Sequence, residues 1–274
     1  MSMKESVSTL LDLKGKVAVV TGGRRGIGAA ISLTLAQAGA NVVVVDLDAE
    51  EPRELVRSIK SLGKGPLLLL STDVGVEEDV KRMVKTVLSK LGKIDILVNN
   101  AGIFSQFRPE DMKEEDWDRV FNVNLKGAFL CSREVARHMI KRGSGGRIIN
   151  IASVNAFLPE TNDTPYDTSK AGLVGLTKDL ALNWGKYKIN VNAVAPGLVY
   201  REGIENEIPE RVDAFTRAAP LGELVFPKDI ANMVLFLASE ASSKITGQTI
   251  AVDSGIQLFG YMSVAHWSTD KPFI

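Results

Sequence analysis

Short runs of β-branched and other apolar residues alternate with longer amphipathic stretches along almost the whole chain, and this alternation limits the possible folds most. The runs of strand length are Val17–Thr21, Asn41–Val45, Pro66–Ser71, Ile94–Val98, Arg147–Ile151, Ile189–Ala193 and Thr249–Val252. The stretches with the length of crossover helices include Ile27–Ala38, Glu77–Leu91, Trp117–Arg142 and Ser169–Lys186. Because the strands are continuously apolar, helices are expected on both faces of the sheet. The pattern predicts an α/β fold with a doubly wound parallel sheet of about seven strands.

Charge and composition exclude several classes of function. The 274 residues carry 33 basic and 33 acidic side chains, so the clustered basic surplus that nucleic acids and anionic membranes bind is not expected. No apolar run approaches the roughly 18 residues that span a bilayer, and Met1–Lys14 has no signal-peptide core. Two His and the single Cys131 are too few for a zinc site or an internal disulfide. We expect a cytoplasmic protein that uses hydroxyls, amides, amines, carboxylates or a cofactor.

No repeat, low-complexity tract or linker divides the chain, so we expect one domain over residues 1–274. Residues 1–13 are predicted to be an N-terminal extension. The polar segment 197–225 is predicted to be a substrate lid, because open α/β sheets bind ligands beyond the carboxyl ends of their strands. The aromatic-rich tail 256–274 is predicted either to fold onto its own domain or to contact a neighbouring subunit.

A glycine-rich turn, Thr21-Gly22-Gly23-Arg24-Arg25-Gly26-Ile27-Gly28, joins the first strand to the first helix. Glycine lets the backbone approach a pyrophosphate, and the free N–H groups at a helix start favour anionic oxygen. The spacing is G-x-x-x-G-x-G rather than the common G-x-G-x-x-G, so a turn that binds nothing is also consistent with it. The predicted cofactor contacts in this turn are Gly22, Arg25, Gly26, Ile27 and Gly28.

Asp46 follows the second strand, 18 residues beyond Gly28. A carboxylate there accepts hydrogen bonds from the adenosine ribose and repels a 2′-phosphate, which favours NAD over NADP. Arg24 and Arg25 favour the opposite choice if they pair with an additional phosphate; a solvated pair beside the pyrophosphate is equally consistent. Because Asp46 is present, NAD is the predicted cofactor and NADP the less favoured one.

Two further clusters close strands at the edge where such sheets bind ligands. Asp73-Val74 follows the third strand and Asn99-Asn100-Ala101-Gly102 follows the fourth. Both are also ordinary turn sequences.

Tyr166 and Lys170 lie four residues apart in a predicted helix, so they share one face. A nearby ammonium favours the phenolate, so in a desolvated site close to a positive nicotinamide ring Lys170 is expected to lower the pKa of Tyr166. A solvated Tyr and Lys pair on the helix surface is the alternative. Ser153, 13 residues before Tyr166, either holds the same substrate oxygen or caps the chain locally. Asn124 lies inside a predicted helix, where an amide is a poor helix former. It indicates an internal hydrogen bond, an exposed position, or a helix distorted to hold a water beside Lys170.

The ordered set of motifs resembles the short-chain dehydrogenase/reductase family from about Leu13 to Val252. The matching residues are Thr21-Gly-x-x-x-Gly-x-Gly28, Asp73, Asn99-Asn-Ala-Gly102, Asn124, Ser153, Tyr166-x-x-x-Lys170 and Pro196-Gly197. The resemblance implies a Rossmann-like sheet, a bound nicotinamide nucleotide, an Asn-Ser-Tyr-Lys catalytic tetrad and a homotetramer.

The resemblance also implies a role for each matching residue. Tyr166 is the general acid and base, and Ser153 orients the substrate oxygen. Lys170 lowers the phenol pKa and holds the ribose hydroxyls of the cofactor, while Asn124 positions a relay water. The implied cofactor contacts further along the chain are Asp46 with the adenosine ribose, Asp73 and Val74 with adenine, Asn100, Ala101 and Gly102 on the ribose side, and Pro196, Gly197 and Val199 near the nicotinamide carboxamide.

Two positions depart from the family pattern. The family often has a Thr where this chain has Arg201, which puts the carboxamide contact in doubt. Arg201 is predicted to pair with a carboxylate or phosphate of the substrate, since a guanidinium binds such groups in a bidentate manner; the alternatives are solvent exposure or pairing with Glu202 or Glu205. Ser254 stands where the family usually has the first of two glycines.

These observations predict an oxidoreductase that transfers a hydride between NAD(H) and a secondary alcohol or ketone, preferably a sugar, polyol or sugar acid. One alternative is a 3-oxoacyl thioester reductase that uses NADPH. Another is a dinucleotide-sensing or scaffold protein without turnover. The tetrad favours an enzyme, because a pure binder does not need Ser153 and Tyr166 together.

Overall fold

The computed structural model describes residues 7–258 except 49, 64, 66 and 105. The strands are β1 (Val17–Thr21), β2 (Asn41–Asp46), β3 (Leu67–Ser71), β4 (Ile96–Asn99), β5 (Gly146–Ile151), β6 (Ile189–Pro196) and β7 (Thr249–Val252). They form one sheet in the order β3-β2-β1-β4-β5-β6-β7, and all neighbours run parallel. The predicted doubly wound α/β architecture is therefore confirmed.

Helices connect the strands and cover both faces of the sheet. The α-helices are α1 (Val7–Leu10), α2 (Gly26–Gln37), α3 (Arg53–Ser61), α4 (Glu77–Leu91), α5 (Glu114–Phe121), α6 (Ala128–Arg142), α7 (Thr164–Trp184), α8 (Ile204–Glu207), α9 (Pro209–Ala218) and α10 (Pro227–Ala238). Short 3₁₀ turns lie at Pro109–Asp111, Val154–Ala156, Gly185–Tyr187, Glu240–Ser242 and Ile256–Leu258. Among the described residues, no helix is both long and apolar enough to cross a membrane.

The sheet is apolar on both faces because its side chains alternate between two cores. Val20 of β1 belongs to one core with residues of α2 and α10, such as Ile31 and Val234. Val19 points to the opposite core, which includes Val135 of α6 and Leu180 of α7. Burial on both faces explains why the strands read as continuous apolar runs rather than as alternating patterns.

The long predicted helix Trp117–Arg142 is interrupted. It consists of α5, a π-helical turn over Asn122–Gly127, and α6. A π turn inserts an additional residue into the helical repeat and changes which side chains face the sheet. This interruption places Asn124 inside the protein rather than on the helix surface.

Other boundaries differ by a few residues. β4 is Ile96–Asn99 rather than Ile94–Val98, and β6 extends to Pro196. Helix α7 begins at Thr164, earlier than the apolar stretch Ser169–Lys186, so Tyr166 and Lys170 both lie in it as predicted. Leu13, predicted as the end of the extension, is buried in the core.

The predicted lid 197–225 contains α8 and α9, and a β-bridge between Val199 and Val225 closes its base. Of the predicted tail, Ile256–Leu258 forms a 3₁₀ turn. The remainder, residues 259–274, lies outside the described part of the chain.

Candidate active site

The turn between β1 and α2 has a shape that requires glycine. Gly22 adopts a positive φ of 60°. A Cβ added at Gly28 would lie 2.0 Å from the Gly22 carbonyl oxygen and 2.6 Å from Nδ2 of Asn100. No side chain fits there, because the turn packs directly against the start of α2. An added Cβ at Gly26 would meet no atom within 4 Å, and no side chain caps the start of α2, so the described residues leave that side of the turn uncovered. This cradle fits the pyrophosphate of a dinucleotide, which helix N-termini bind through backbone N–H groups.

Asn100 fixes this turn from the neighbouring strand. Its Nδ2 donates to the carbonyl oxygens of Thr21 (3.0 Å) and Gly22 (2.9 Å). In return, Oγ1 of Thr21 accepts hydrogen bonds from the backbone N–H groups of Asn100 and Ala101, both at 3.1 Å. The Asn100 amide is therefore a positioning group for the glycine turn, a role that the sequence did not reveal. Its ribose contact stays a prediction.

The groove beside the ends of β1, β2 and β3 is acidic. Asp46 Oδ2 accepts a hydrogen bond from the backbone N–H of Arg24 at 3.4 Å. The Arg24 guanidinium pairs with Asp48 and, at 2.8 Å, with Glu50. Arg24 is thus bound to two carboxylates rather than solvated, while Arg25 is exposed. A cavity of about 250 Å³ lies here, lined by Arg24, Val44, Asp46, Asp48, Glu50, Pro52, Leu69, Leu70 and Ser71.

Asp73 and Val74 shape the turn after β3. Asp73 Oδ1 accepts a hydrogen bond from the N–H of Gly75 at 2.9 Å, so the predicted turn chemistry is present. Val74 is buried against the π turn, where a Cβ on Gly127 would lie 2.8 Å from its Cγ2. Contact of these residues with adenine stays a prediction.

Asn124 is held by three hydrogen bonds inside the protein. Its Oδ1 accepts from the N–H of Ile103, and its Nδ2 donates to the Ile103 carbonyl, both at 2.8 Å. Nδ2 also donates to Oγ of Ser169 at 3.0 Å. For Asn124 the sequence left three alternatives: an internal hydrogen bond, an exposed position, or a distorted helix that holds a water. The internal hydrogen bonds and the helix distortion are both present. The relay water stays a prediction.

Lys170 is buried beside the Tyr166 phenol. Its Nζ donates to the carbonyl of Ile151 at 2.8 Å and lies 5.4 Å from the centroid of the Tyr166 ring. A Cβ on Gly102 would lie 3.4 Å from both Lys170 Nζ and Asn124 Oδ1. Three of the four tetrad residues therefore converge where β4 ends, next to the strand that carries the glycine turn.

Burial controls the ionisation of this pair. Desolvation raises the pKa of Tyr166; interaction with the Ser153 hydroxyl opposes this change, and the carboxylates of Asp163 and Asp167 add to it. Desolvation lowers the pKa of Lys170 to about 8. The protein's own groups raise the pKa of Tyr166, with burial as the largest cause, and Lys170 donates to a backbone carbonyl. The lowering of this pKa by Lys170 beside a positive nicotinamide ring stays a prediction.

The depressed pKa of Lys170 predicts a pH dependence of stability. The folded protein holds the Lys170 proton less tightly than the unfolded chain does. The contribution of Lys170 to the free energy of unfolding is therefore greatest above its ordinary pKa of 10.5 and decreases as the pH falls from 10.5 to about 8. Relative to a Lys170→Met variant, the wild-type free energy of unfolding should rise by about 1 kcal/mol between about pH 7.5 and pH 9. Urea denaturation of both proteins across this range measures the difference. Parallel curves would contradict the prediction.

Ser153 is buried at the end of β5, where it caps the 3₁₀ turn Val154–Ala156. Its Oγ accepts from the backbone N–H of Asn155 at 3.1 Å and donates to Oδ1 of Asn155 at 3.2 Å. The capping alternative is therefore present. The N–H of Asn155 uses only a lone pair of the Ser153 oxygen, and the same hydroxyl interacts with the Tyr166 phenol. Its single proton lies toward Asn155 Oδ1 in this structure, so donation to a substrate oxygen requires that bond to be exchanged.

Arg201 forms a fork with Glu207, with N–O distances of 2.6 and 2.5 Å. Its partner is therefore neither Glu202 nor Glu205. More than half of the Arg201 side chain, 53%, is exposed. A role in substrate binding would require its guanidinium to leave Glu207, so the predicted role has no support from this geometry.

The segment after β6 leaves the sheet in close contact with β7. Pro196 ends β6, and the N–H of Gly197 donates to the Val252 carbonyl at 3.0 Å. A Cβ on Gly197 would lie 2.9 Å from Cα of Asp253. Ser254 has a positive φ of 55°, which explains why a glycine suits this position in the family. Val199 packs partly on the core, and its contact with a carboxamide stays a prediction.

Comparisons with known proteins agree with this arrangement. The family model described as Enoyl-(Acyl carrier protein) reductase matches residues 22–257. The chain is 43% identical to 3-oxoacyl-[acyl-carrier-protein] reductase FabG of Thermotoga maritima, over 89% of this chain and 98% of that protein. It is 38% identical to 2-dehydro-3-deoxy-D-gluconate 5-dehydrogenase of Escherichia coli, over 91% of this chain and 98% of that protein.

A solved structure is similar over nearly the whole fold. It is a putative 2-deoxy-D-gluconate 3-dehydrogenase from Agrobacterium tumefaciens with bound NADP, and it has a TM-score of 0.84 and 35% identity. The match covers 91% of this chain and 99% of that one. The chain belongs to the short-chain dehydrogenase/reductase family, whose members use NAD(P) to oxidise CH–OH groups or reduce the corresponding ketones.

Proposed function

We propose that this protein is an NAD(H)-dependent dehydrogenase or reductase for a secondary alcohol or ketone of a sugar, polyol or sugar acid. The observation that carries the proposal is the convergence of Tyr166, Ser153, Lys170 and Asn124 beside the glycine turn. Nζ of Lys170 lies 5.4 Å from the centroid of the Tyr166 ring, and Gly102 lies beside both Lys170 Nζ and Asn124 Oδ1, each 3.4 Å from an added Cβ.

The residues that would hold the dinucleotide are the backbone of Gly22–Gly28 for the pyrophosphate and Asp46 for the adenosine ribose. When bound, the nicotinamide accepts or supplies the hydride. Lys170 would hold the ribose hydroxyls near that ring. Most of the rate comes from holding the hydride donor, the substrate carbon and the proton donor in contact. The tetrad residues already lie together before substrate binds; Asn124, Ser153 and Lys170 are buried and Tyr166 is half-buried.

Tyr166 transfers the proton to or from the substrate oxygen. Ser153 donates a hydrogen bond to the same oxygen after its hydroxyl proton turns away from Asn155 Oδ1, which accepts it in this structure. Because burial raises the pKa of Tyr166, the phenol keeps its proton at neutral pH. A protonated phenol is ready to donate to a ketone oxygen, so the reductive direction needs no preceding deprotonation. In the oxidative direction, Tyr166 must first lose this proton.

The acidic groove supports NAD. A 2′-phosphate placed there would meet Asp46, Asp48 and Glu50, and Arg24 already pairs with two of these carboxylates. The related Agrobacterium structure contains NADP, so the preference has to be measured on this chain. Repulsion between a dianionic phosphate and a carboxylate costs binding energy at short range.

A substrate panel tests the proposal. Purified protein is assayed with NAD and NADP against polyols, sugar acids and aldoses, and in reverse with ketones and acetoacetyl-CoA. We expect turnover of a sugar, polyol or sugar acid, with kcat/KM at least about tenfold higher for NAD than for NADP, or roughly 1.4 kcal/mol. Asp46→Ala should lower the ratio of kcat/KM with NAD to kcat/KM with NADP. Glu51 does not line the cavity, so Glu51→Ala is the control and should leave this ratio as in the wild type. Equal or better use of NADP by the wild type would contradict the cofactor assignment.

The second candidate is a 3-oxoacyl thioester reductase that uses NADPH. One observation favours it: Phe157 and Leu158, just beyond Ser153, are 45% and 40% exposed, which suits an acyl chain. Turnover of acetoacetyl-CoA alone would favour this candidate.

A homotetramer, the cytoplasmic location and a subunit contact by the tail stay predictions. Light scattering of the purified protein tests the tetramer.

A further inference from the structure

A continuous line of polar contacts runs from the catalytic hydroxyl to the lid. Ser153 both donates to and accepts from Asn155, through its side-chain Oδ1 and its backbone N–H. Nδ2 of Asn155 then donates to Asp167 at 2.9 Å and to Glu160 at 3.4 Å. Asn155 therefore uses both ends of its amide and its backbone N–H to connect Ser153 with two carboxylates.

Glu160 continues the line to the lid helix. Its backbone N–H donates to Oδ2 of Asp167 at 2.6 Å, which fixes the loop between Ser153 and α7. Its carboxylate pairs with the guanidinium of Arg211, which lies on α9. This ion pair joins two segments 51 residues apart in sequence.

The charge balance around the cleft gives Arg211 a second reason to lie there. Asp163 and Asp167 both raise the pKa of Tyr166, whereas Arg211 lowers it, so the guanidinium lies within electrostatic reach of the phenol. Arg217 is another arginine of α9, and it pairs with Asp213, one turn earlier on the same helix. The Glu160–Arg211 pair thus differs from this exposed pair in joining the lid to the catalytic loop.

We propose that Asn155 is a positioning residue for Ser153, and that the Glu160–Arg211 ion pair connects this residue to the lid helix α9. With α9 seated, Glu160 and Asp167 hold the Asn155 amide. The N–H and Oδ1 of Asn155 fix the Ser153 hydroxyl before substrate binds, and its single proton turns from Oδ1 to the substrate oxygen on binding. The inference rests on the proposed function, because it assigns further residues to the same site.

The first test separates positioning from folding. Asn155→Ala should lower kcat about tenfold while the Kd of NAD and the melting temperature stay close to wild type. In a Ser153→Ala background, the same substitution should change kcat less than twofold, because it acts through Ser153. Equal tenfold losses in both backgrounds, or no loss in the wild-type background, would overturn the assignment.

The second test uses charge reversal at the lid contact. Glu160→Arg and Arg211→Glu should each lower kcat/KM about tenfold, and the double variant should recover at least half of that loss on a logarithmic scale. Arg217→Gln is the matched control on the same helix and should stay within twofold of wild type. Two single losses that simply add in the double variant would overturn the ion pair.

A readout independent of activity keeps the two proposals distinguishable. Hydrogen exchange of peptides covering Pro209–Ala218 should be at least about fivefold faster in Glu160→Gln and in Arg211→Gln than in wild type, and unchanged in the Glu160→Arg/Arg211→Glu pair. If the wild type turns over no substrate of the panel but shows these exchange rates, the proposed function fails while the lid contact stands. Unchanged exchange in the single variants would overturn the contact.

Discussion

Tyr166→Phe is expected to lower kcat at least about 100-fold, while the Kd of NAD changes less than threefold. The substitution removes only the phenolic hydroxyl, which transfers the proton, and general acid or base catalysis contributes about 100- to 10,000-fold. The ring stays in place beside Lys170, 5.4 Å from its Nζ, so the cofactor site keeps its shape. Steady-state kinetics with the best substrate of the panel, together with NAD titration, measures both quantities.

Tyr187→Phe provides a matched control. Tyr187 lies in the 3₁₀ turn after α7 and is 38% exposed. Because it is not part of the tetrad, removal of its hydroxyl should leave kcat unchanged. Equal background rates for wild type and Tyr166→Phe would instead favour a dinucleotide sensor without turnover. A loss of NAD binding in Tyr166→Phe would point to a structural role for the hydroxyl.

The fold follows from the sequence because burial on both faces leaves an unusually clear pattern. β1 and β7 have the predicted limits, and α4 begins and ends where the periodicity places it. Errors occur where a side chain rather than periodicity decides the boundary. Asp95, inside the predicted fourth strand, accepts a hydrogen bond from the N–H of Val17 at 2.9 Å, and regular β4 begins only after it.

The site is predictable only as far as its motifs extend. Spacing alone brings Tyr166 and Lys170 to one helix face. It gives no indication that Asn100 holds the glycine turn, since that role depends on two strands being neighbours in the sheet. Asn155 and Arg211 are equally hidden, because the Glu160–Arg211 contact joins residues 51 apart. Such contacts need tertiary structure to become visible.

Ionisation is also beyond the reach of spacing. The sequence predicts that an ammonium near a phenol lowers the pKa of the phenol. The protein's own groups act in the opposite direction: desolvation of the phenol is the largest cause, and Asp163 and Asp167 add to it, so the pKa of Tyr166 is raised. The direction of a pKa shift in a pair of charged or ionisable side chains can therefore be assigned only when the burial of both side chains is known.

Gly28→Ala is expected to weaken NAD binding about 100-fold. The added Cβ would lie 2.0 Å from the Gly22 carbonyl oxygen and 2.6 Å from Nδ2 of Asn100, so the turn must move. Because Asn100 holds the Gly22 carbonyl at 2.9 Å, that movement also breaks the contact that orients the turn. Overpacking costs about 1–3 kcal/mol. If the displaced turn must spend this energy to return to the shape that binds NAD, the Kd rises roughly 5- to 150-fold. Isothermal titration with NAD measures the effect.

Gly175→Ala tests whether any added methyl group has this effect. Gly175 lies within α7, and an added Cβ there meets no atom within 4 Å. This variant should bind NAD as wild type does and should be more stable by about 0.5–1 kcal/mol, because alanine suits a helix interior better than glycine. If Gly28→Ala loses stability as well as affinity, the NAD-induced rise in melting temperature separates the two effects: a rise equal to that of wild type would show that the turn does not bind the pyrophosphate.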